Sequence, residues 1–322
     1  MSPAAPRHDV AALRAQFPAL AQTVHGKRLA YLDSAATALK PRAVLAALER
    51  AYGLDMANVH RAVHELARRA TEGYEAARSR VARFLGVADA KAVVFTRGTT
   101  EALNLVAQGW ARPRLREGDE ILLGELEHHS NLVPWQMVAE ATGARLVWVP
   151  VSADGVVAAE DYLSRLTKRT RVVAMAHVSN VLGTVLPVAE VARGARAVRA
   201  LTVVDGAQAV PHVPVDMTAL GCDFYAFGAH KLYGPTGIGA LWGRRERLEE
   251  VVPQQGGGEM ILSVEREASR FKDLPHRLEA GTPHIAGALG LHAALDWYAE
   301  LDHAALHAHE ARLLARATEG VE

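Results

Sequence analysis

The sequence predicts an α/β protein whose large domain is a mostly parallel sheet covered by helices. From about residue 91, short β-branched runs alternate with longer helical patterns, which is typical of parallel strands joined by crossover helices. The chain has 322 residues, of which 50% are hydrophobic. This length exceeds the size at which one core usually keeps growing, so a large domain plus a smaller one is expected.

Each predicted strand is a short apolar run that ends in a polar or glycine-rich loop. The runs of the mainly parallel part are AVVF (92–95), EILLG (120–124), ARLVWVPV (144–151), TRVVAMAH (170–177), LTVVD (201–205) and CDFYAF (222–227). IGALWG (238–243) follows a glycine-rich turn so closely that we expect it to pair antiparallel, since a parallel return needs a longer crossover. After residue 284, a pattern of Ala, Leu and His predicts one long helix to the end of the chain.

The composition argues against several kinds of partner. Lys plus Arg and Asp plus Glu both total 36, so no net field favours nucleic acid or an anionic membrane, and a small molecule or a protein is the expected partner. No run approaches the ~18 apolar residues of a membrane span, and the first residues lack the apolar core of a signal peptide. Cys222 alone can form neither an internal disulfide nor a cysteine-based metal cluster. These features predict a cytoplasmic protein.

An anion site is predicted after the run AVVF. Gly98 frees the backbone there, and Thr99 and Thr100 open a helix whose amide groups and dipole favour a phosphate. The alternative is that a threonine simply caps this helix.

Three other strands each end close to a distinctive polar residue. Asp205 ends LTVVD, His128 lies in EHHSN, and Asn180 lies in VSNVLGT. Each could merely cap a helix or satisfy backbone groups. Ligands of open α/β sheets bind beyond the carboxyl ends of the strands, so the agreement among these loops favours a shared site.

Lys231 differs from the other lysines in its surroundings, because the stretch FGAHKLYGPTGIGAL encloses it in small, aromatic and glycine residues. The others lie beside Arg, Asp or Pro and are expected at the solvated surface: Lys27, Lys40, Lys91, Lys168 and Lys272. A desolvated lysine has a lowered pKa and is suited to forming a Schiff base. The alternative is a lysine that answers a buried carboxylate.

Together these residues are the parts needed to hold pyridoxal phosphate. The aldehyde of that cofactor needs an amine, its phosphate needs the Gly98 loop, its ring nitrogen needs a carboxylate that keeps it protonated, and its ring needs a flat group against one face.

Metal binding is a rival hypothesis. His60 and His64, like His303 and His307, have an i, i+4 spacing that would put both rings on one helix face. Neither pair has an evident third ligand and the HExxH signature is absent, so we predict no metal site.

The chain resembles the cysteine desulfurases of the sulfur-mobilisation (SufS-like) type and the related selenocysteine lyases, which are class V aminotransferase-like pyridoxal phosphate enzymes. The resemblance runs from about residue 10 to residue 300 and rests on YLDSAAT, NVHRAVHELARRAT, VVFTRGTTEALNLVA, GDEILLGELEHHSNLVPWQ, HVSNVLGT, VVDGAQAVPHVPVDMTALGCDFYAF, HKLYGPTGIGAL and LEAGTPH. It implies fold type I, with a large seven-stranded domain and a small domain made from both chain ends. The expected divisions are 1–30 for the first part of the small domain, 31–284 for the large domain, and 285–322 for a connecting helix and the start of the rest.

The resemblance also implies the role of each site residue. Lys231 would bind the aldehyde, Asp205 would pair with the pyridine nitrogen, and His128 would stack on the ring. Gln208 would bond the ring hydroxyl, while Asn180 would lie near that hydroxyl and the substrate carboxylate. The expected phosphate ligands are Thr99, Thr100 and His230, with Thr282 reaching the phosphate site of the other subunit of a homodimer whose sites lie at the interface, near His60.

The sequence departs from the family pattern in two places. Gly228 stands where the family usually has a serine two residues before its His-Lys pair, which predicts weaker cofactor retention. The sulfur-accepting cysteine, and an arginine that binds the substrate carboxylate, lie in the family on a C-terminal segment that we expect to be absent here. Cys222 is expected to be a small buried residue that cannot replace that cysteine.

The function implied is that of a pyridoxal phosphate-dependent cysteine desulfurase, which converts L-cysteine to L-alanine and an enzyme-bound persulfide for sulfur mobilisation and iron–sulfur cluster assembly. Another class V chemistry, such as that of a selenocysteine lyase or an epimerase, is one alternative. A non-catalytic scaffold that binds a sulfur-acceptor protein is another.

Overall fold

A seven-stranded sheet forms the centre of the computed structural model, which describes residues 9–60 and 63–321. In chain order the strands are Thr23–Val24 (β1), Lys27–Arg28 (β2), Val93–Thr96 (β3), Glu120–Gly124 (β4), Arg145–Val149 (β5), Thr170–Ala176 (β6), Leu201–Asp205 (β7), Phe224–Gly228 (β8), Gly239–Gly243 (β9), Ile261–Val264 (β10) and Ser269–Phe271 (β11). The central sheet has the order β3-β9-β8-β7-β6-β4-β5, while β1 with β2 and β10 with β11 form separate hairpins.

The direction of the strands confirms the predicted α/β fold. β5, β4, β6, β7 and β8 run parallel in that spatial order. β9 pairs antiparallel with both β8 and β3, as its short connection to β8 predicts. Every residue of β3, β4, β7, β8 and β9 is buried, since helices cover both faces of such a sheet.

The helices occupy the connections between the strands and both ends of the described chain. In chain order they are Val10–Ala15 (α1), Arg42–Gly53 (α2), Glu65–Phe84 (α3), Thr99–Val106 (α4), Val133–Thr142 (α5), Ala159–Leu163 (α6), Val188–Ala197 (α7), Met217–Leu220 (α8), Arg245–Glu249 (α9), Ile285–Ala299 (α10) and His303–Glu319 (α11). α4 packs on β8 and β9, and α7 packs on β6 and β7. Among the described residues, no helix is both long enough and apolar enough to cross a bilayer.

The prediction of one long helix after residue 284 is wrong, because two helices lie there. The carboxylate of Asp302 accepts a hydrogen bond from the backbone N–H of Ala305 at 3.0 Å and so begins α11 as a new helix. α10 buries its apolar face against α2 and α3, whereas α11 leaves Leu314 70% exposed. The apolar pattern of α10 is therefore satisfied within this chain.

The amino-terminal segment reaches the carboxyl end of the sheet before α2 begins. After the β1–β2 hairpin, the backbone N–H of Ala38 donates to the carbonyl of His230 at 3.0 Å. This contact joins residues that are far apart in sequence, and it places residues 33–38 beside the turn that carries Lys231.

Candidate active site

One cavity of about 1170 Å³ lies beyond the carboxyl ends of the parallel strands, where the sequence predicts a site. All of the predicted site residues line it: Thr99, Thr100, His128, Asn180, Asp205, Gln208, His230, Lys231 and Thr282. The structure therefore brings together residues that the sequence spreads over more than half of the chain.

The start of α4 has the features of an anion site. Gly98 precedes the helix with a φ of 156°, a conformation that L side chains rarely adopt, and within the described part of the chain no side-chain hydrogen bond caps the first turn. The alternative that a threonine caps this helix is wrong, because Gly98 occupies the cap position. The amides and dipole at this end remain available to a phosphate.

Gly228 borders the same region at the end of β8. A Cβ at this position would lie 3.2 Å from His230 Cδ2 and 3.3 Å from Thr99 Oγ1. A side chain at residue 228 would thus stand between two of the predicted phosphate ligands.

Lys231 ends a short 3₁₀ turn, Ala229–Lys231, that follows β8. Its side chain is half-buried, and desolvation lowers the pKa of its amine, although the charge of Asp205 acts in the opposite direction. Among the ion pairs of the described residues, none joins this amine to Asp205 within 4.0 Å. Lys231 is therefore not paired directly with Asp205, and both groups line the cavity.

Asp205 is the last residue of β7 and is 6% exposed. Burial raises the pKa of its carboxyl, while a hydrogen bond from the backbone N–H of Ala207 at 2.9 Å and the charge of Lys231 oppose this shift. The next residue must be a glycine, because a Cβ on Gly206 would lie 2.1 Å from the ring of Tyr225. Close packing of the strand end on this ring fixes the position of the carboxylate.

The loop after β4 presents His128 to the cavity. The Nδ1 atom of its ring accepts a hydrogen bond from the backbone N–H of Ser130 at 3.1 Å, which leaves Nε2 to carry the proton of the neutral ring. Partial desolvation and the nearby charge of Lys231 lower the pKa of this ring. Ser130 Oγ in turn lies 2.7 Å from Thr100 Oγ1, so the ring is connected to the predicted phosphate ligands. Ser130 was missed by the sequence predictions, although it belongs to the EHHSN stretch.

Glu127 anchors this loop from below. Its carboxylate accepts hydrogen bonds from Asn131 Nδ2 at 2.6 Å and from the backbone N–H of Ala176 at 2.8 Å. Burial raises the pKa of this carboxyl to about 8, and the charge of Asp205 contributes in the same direction. A titratable buried acid therefore lies directly behind the cavity wall.

The remaining predicted residues lie at the edges of the cavity. The Gln208 side-chain amide donates to the carbonyl of Ala35 at 2.8 Å, which attaches the amino-terminal segment to the site. Asn180 is half-buried, and Thr282 is exposed on the cavity wall of its own chain. That Thr282 reaches another subunit stays a prediction.

The sequence also makes predictions about two residues that lie outside the cavity, Cys222 and Lys40. Cys222 is fully buried and its pKa is raised to about 12, chiefly by burial, so the thiol is inert as expected. Lys40 was expected at the solvated surface, and this is wrong. Its amine is half-buried between two carbonyl groups, and desolvation lowers its pKa to about 8.

The proposed geometry of the first histidine pair is also wrong. His60 precedes α3 with a φ of 64°, and His64 caps that helix through a hydrogen bond from the backbone N–H of Ala67. His60 instead lies within 4.8 Å of ligand atoms of Glu75 and His276. Arg78 already donates to both oxygens of Glu75, so a cation would have to displace a guanidinium there.

Comparison with known proteins identifies the family of this chain. The family described as "Aminotransferase class-V" matches residues 30–322. A Vibrio cholerae protein named "Probable cysteine desulfurase" is 48% identical over 310 residues, which are 96% of this chain and 77% of that protein. The chain therefore spans about three quarters of the length of this relative.

Solved structures show the same relationship. The crystal structure of the Escherichia coli cysteine desulfurase CsdA is 48% identical, has a TM-score of 0.83, and is matched over 91% of this chain and 72% of the other. A C-DES mutant with glycine covalently linked to its PLP cofactor is 27% identical, has a TM-score of 0.77, and is matched over 89% and 74%.

The chain belongs to the class-V aminotransferase family, and it shares the fold of a solved cysteine desulfurase. Within that family its relatives at close to half identity are the cysteine desulfurases.

The residues of the cavity fit pyridoxal phosphate. An amine with a lowered pKa, a buried carboxylate and a helix start with free amides all border one cavity, and Gly228 leaves room beside the predicted phosphate ligands.

Proposed function

We propose that this chain catalyses the desulfurase reaction of its family, in which sulfur is removed from L-cysteine and L-alanine is left. The observation that carries the proposal is the joint position of Lys231 and Asp205 on one cavity, close enough for their charges to interact but not paired. The name and identity of the Vibrio cholerae relative support the choice of substrate.

Pyridoxal phosphate is the cofactor, and when bound it withdraws electrons from the bonds at the substrate Cα. The carboxylate of Asp205 would hold the proton on the pyridine nitrogen, since a buried acid beside a cationic ring is held in its charged form. Gln208 and Asn180 would bond the ring hydroxyl, and the imidazole of His128 would cover one face. The phosphate would be held at the start of α4 by Thr99, Thr100 and His230.

Lys231 has two tasks in this proposal. It fixes the cofactor through its amine, and it moves a proton at the substrate Cα after the substrate has taken its place. Desolvation lowers the pKa of this amine, so a larger fraction is unprotonated near neutral pH than in an exposed lysine. Among the ion pairs of residues 9–60 and 63–321, none includes the amine of Lys231, which leaves it available as a base.

The sulfur has to move to a thiol, which becomes a persulfide as L-cysteine becomes L-alanine. We propose that Cys222 is not this thiol, because it is fully buried and its raised pKa disfavours the thiolate. The acceptor is then a cysteine other than Cys222, either a catalytic cysteine or that of a sulfur-acceptor protein serving iron–sulfur cluster assembly.

We further propose that the protein is a cytoplasmic homodimer with the domain division 1–30, 31–284 and 285–322. Family membership supports the dimer, and the balanced charge together with the single cysteine supports the location. The short elements α1, β1 and β2 before residue 31 and the two helices after residue 284 are consistent with a small domain built from both ends.

The proposal is tested by replacing Lys231. We expect Lys231→Ala to lose the visible absorption band that forms when pyridoxal phosphate binds covalently to the protein, because the variant has no amine at that position. Borohydride reduction followed by mass spectrometry should place the cofactor on the stretch 227–241 only in the parent protein. Lys91→Ala, at an exposed lysine, is the control. An unchanged band in Lys231→Ala would remove this lysine from the site.

A further inference from the structure

The backbone carbonyl of His230 accepts hydrogen bonds from three groups of the amino-terminal segment. These donors are the hydroxyl of Thr37 at 3.2 Å, the backbone N–H of Ala38 at 3.0 Å and the amine of Lys40 at 2.9 Å. A carbonyl oxygen has two lone pairs, so it is fully used here. His230 directly precedes Lys231, and this carbonyl belongs to the peptide group that joins the two residues.

Lys40 is the charged member of this group of donors. Its amine also donates to the carbonyl of Ala38, so a single ammonium group bonds both the amino-terminal segment and the turn that carries Lys231. The side chain is half-buried and is not among the residues that line the cavity. Lys40 therefore acts on the cofactor site indirectly, through the groups that it bonds.

We propose that Lys40 is a positioning residue that holds the turn carrying His230 and Lys231 in place for the cofactor, through its charged hydrogen bonds to the carbonyls of Ala38 and His230. Burying most of an ammonium is unfavourable unless hydrogen bonds compensate, and both carbonyls serve this purpose. A shorter or uncharged residue would leave the carbonyl of His230 with two weaker donors, the Thr37 hydroxyl and the Ala38 N–H. This inference rests on the proposed function, since it assumes that Lys231 carries the cofactor.

The charge of Lys40 has a second effect on the turn. Desolvation lowers the pKa of the His230 ring, and the charges of Lys231 and Lys40 lower it further. Lys231 in turn faces Asp205 at the end of β7 and His128 in the loop after β4. Among these groups only Lys40 lies outside the cavity, so its charge can be removed without deleting a residue that faces the cofactor.

The experiment compares Lys40→Met, Lys40→Arg and the exposed control Lys91→Met, each with bound cofactor. Two quantities are measured: the dissociation constant for pyridoxal phosphate, and the pKa of the His230 ring by NMR of histidine-labelled protein, with the signal assigned through His230→Asn. We expect Lys40→Met to bind the cofactor about tenfold more weakly, the size of one charge-assisted hydrogen bond, and to show a raised His230 pKa. Lys40→Arg keeps a charge and donors and should remain within about threefold of the parent.

The two readouts separate positioning from a general loss of stability. If Lys40→Met matches Lys91→Met in both quantities, the inference is overturned, whatever its thermal stability. Should Lys40→Met fail to fold, Lys40→Gln is measured in its place, and a dissociation constant and a His230 pKa that both match the control overturn the inference equally. If the parent protein shows no covalent cofactor band, or shows a band that Lys231→Ala leaves unchanged, the proposed function is overturned instead.

Discussion

Replacing Gly228 by serine tests the phosphate end of the site, because this is where the sequence departs from the family pattern. The backbone of Gly228 has a φ of −106°, which serine adopts without strain. The new Cβ would lie 3.3 Å from Thr99 Oγ1 and 3.2 Å from His230 Cδ2. Its hydroxyl would therefore stand among the groups that are proposed to bind the phosphate.

The expected gain is the difference between two effects. A hydrogen bond to a charged phosphate contributes about 1.5 to 3 kcal/mol. Both contacts of the added Cβ would be a few tenths of an ångström too short. The half-buried side chains of His230 and Thr99 would have to move to relieve them, at a cost of about 1 kcal/mol. The net gain of about 0.5 to 2 kcal/mol corresponds to cofactor binding that is tighter by about 2-fold to 30-fold.

The assay is the equilibrium dissociation constant for pyridoxal phosphate, with Gly228→Ala as the matched control. Alanine adds the same Cβ without the hydroxyl, so it measures the steric cost alone. We expect the serine variant to bind the cofactor at least about tenfold more tightly than the alanine variant. Equal dissociation constants for the two variants would refute the placement of the phosphate between Thr99 and His230.

Two further predictions concern buried acids. Asp205→Asn should leave thermal unfolding close to that of the parent but slow the exchange of the substrate Cα hydrogen by about a hundredfold, because the ring nitrogen loses its charged partner; exchange at the parent rate would exclude this role. Glu127 has a folded-state pKa raised from 4.5 to about 8, so its contribution to stability is complete below about pH 4.5 and is lost as the pH rises through 8. Urea unfolding should therefore show a loss on the order of 5 kcal/mol across this range in the parent and a flatter profile in Glu127→Gln, and parallel profiles would contradict the assignment.

The strands of the central sheet were predicted to within about two residues, and the antiparallel strand IGALWG was recognised from its short connection. Strands that are buried on both faces are short apolar runs, so their signal is local. The break between α10 and α11 was missed although Asp302, a common capping residue, stands at it. The sequence contains this capping signal, but the apolar pattern continues on both sides of Asp302 and therefore predicts a single helix.

The residues around the cavity were harder to predict than the residues that line it. Lys40 was assigned to the surface because Pro41 follows it in sequence, yet its partners are residues 38 and 230. The prediction for His60 failed for a similar reason. The i, i+4 spacing to His64 carries no information about the backbone turn at His60, which lies before α3 begins. In both cases the sequence pattern does not reveal what decides the outcome, which is the contact with residue 230 for Lys40 and the backbone conformation for His60.

The fold class and the strands of the central sheet follow from the sequence alone, because burial patterns are properties of short stretches; the predicted roles of Lys231 and Asp205 rest on residue types read in the same way. Three contacts become visible only in the folded chain: one carbonyl is held by Thr37, Ala38 and Lys40, Ser130 connects His128 to Thr100, and Gly228 borders two of the predicted phosphate ligands. These contacts depend on how distant segments meet at the end of the sheet, and their energy is gained only when the whole chain is folded.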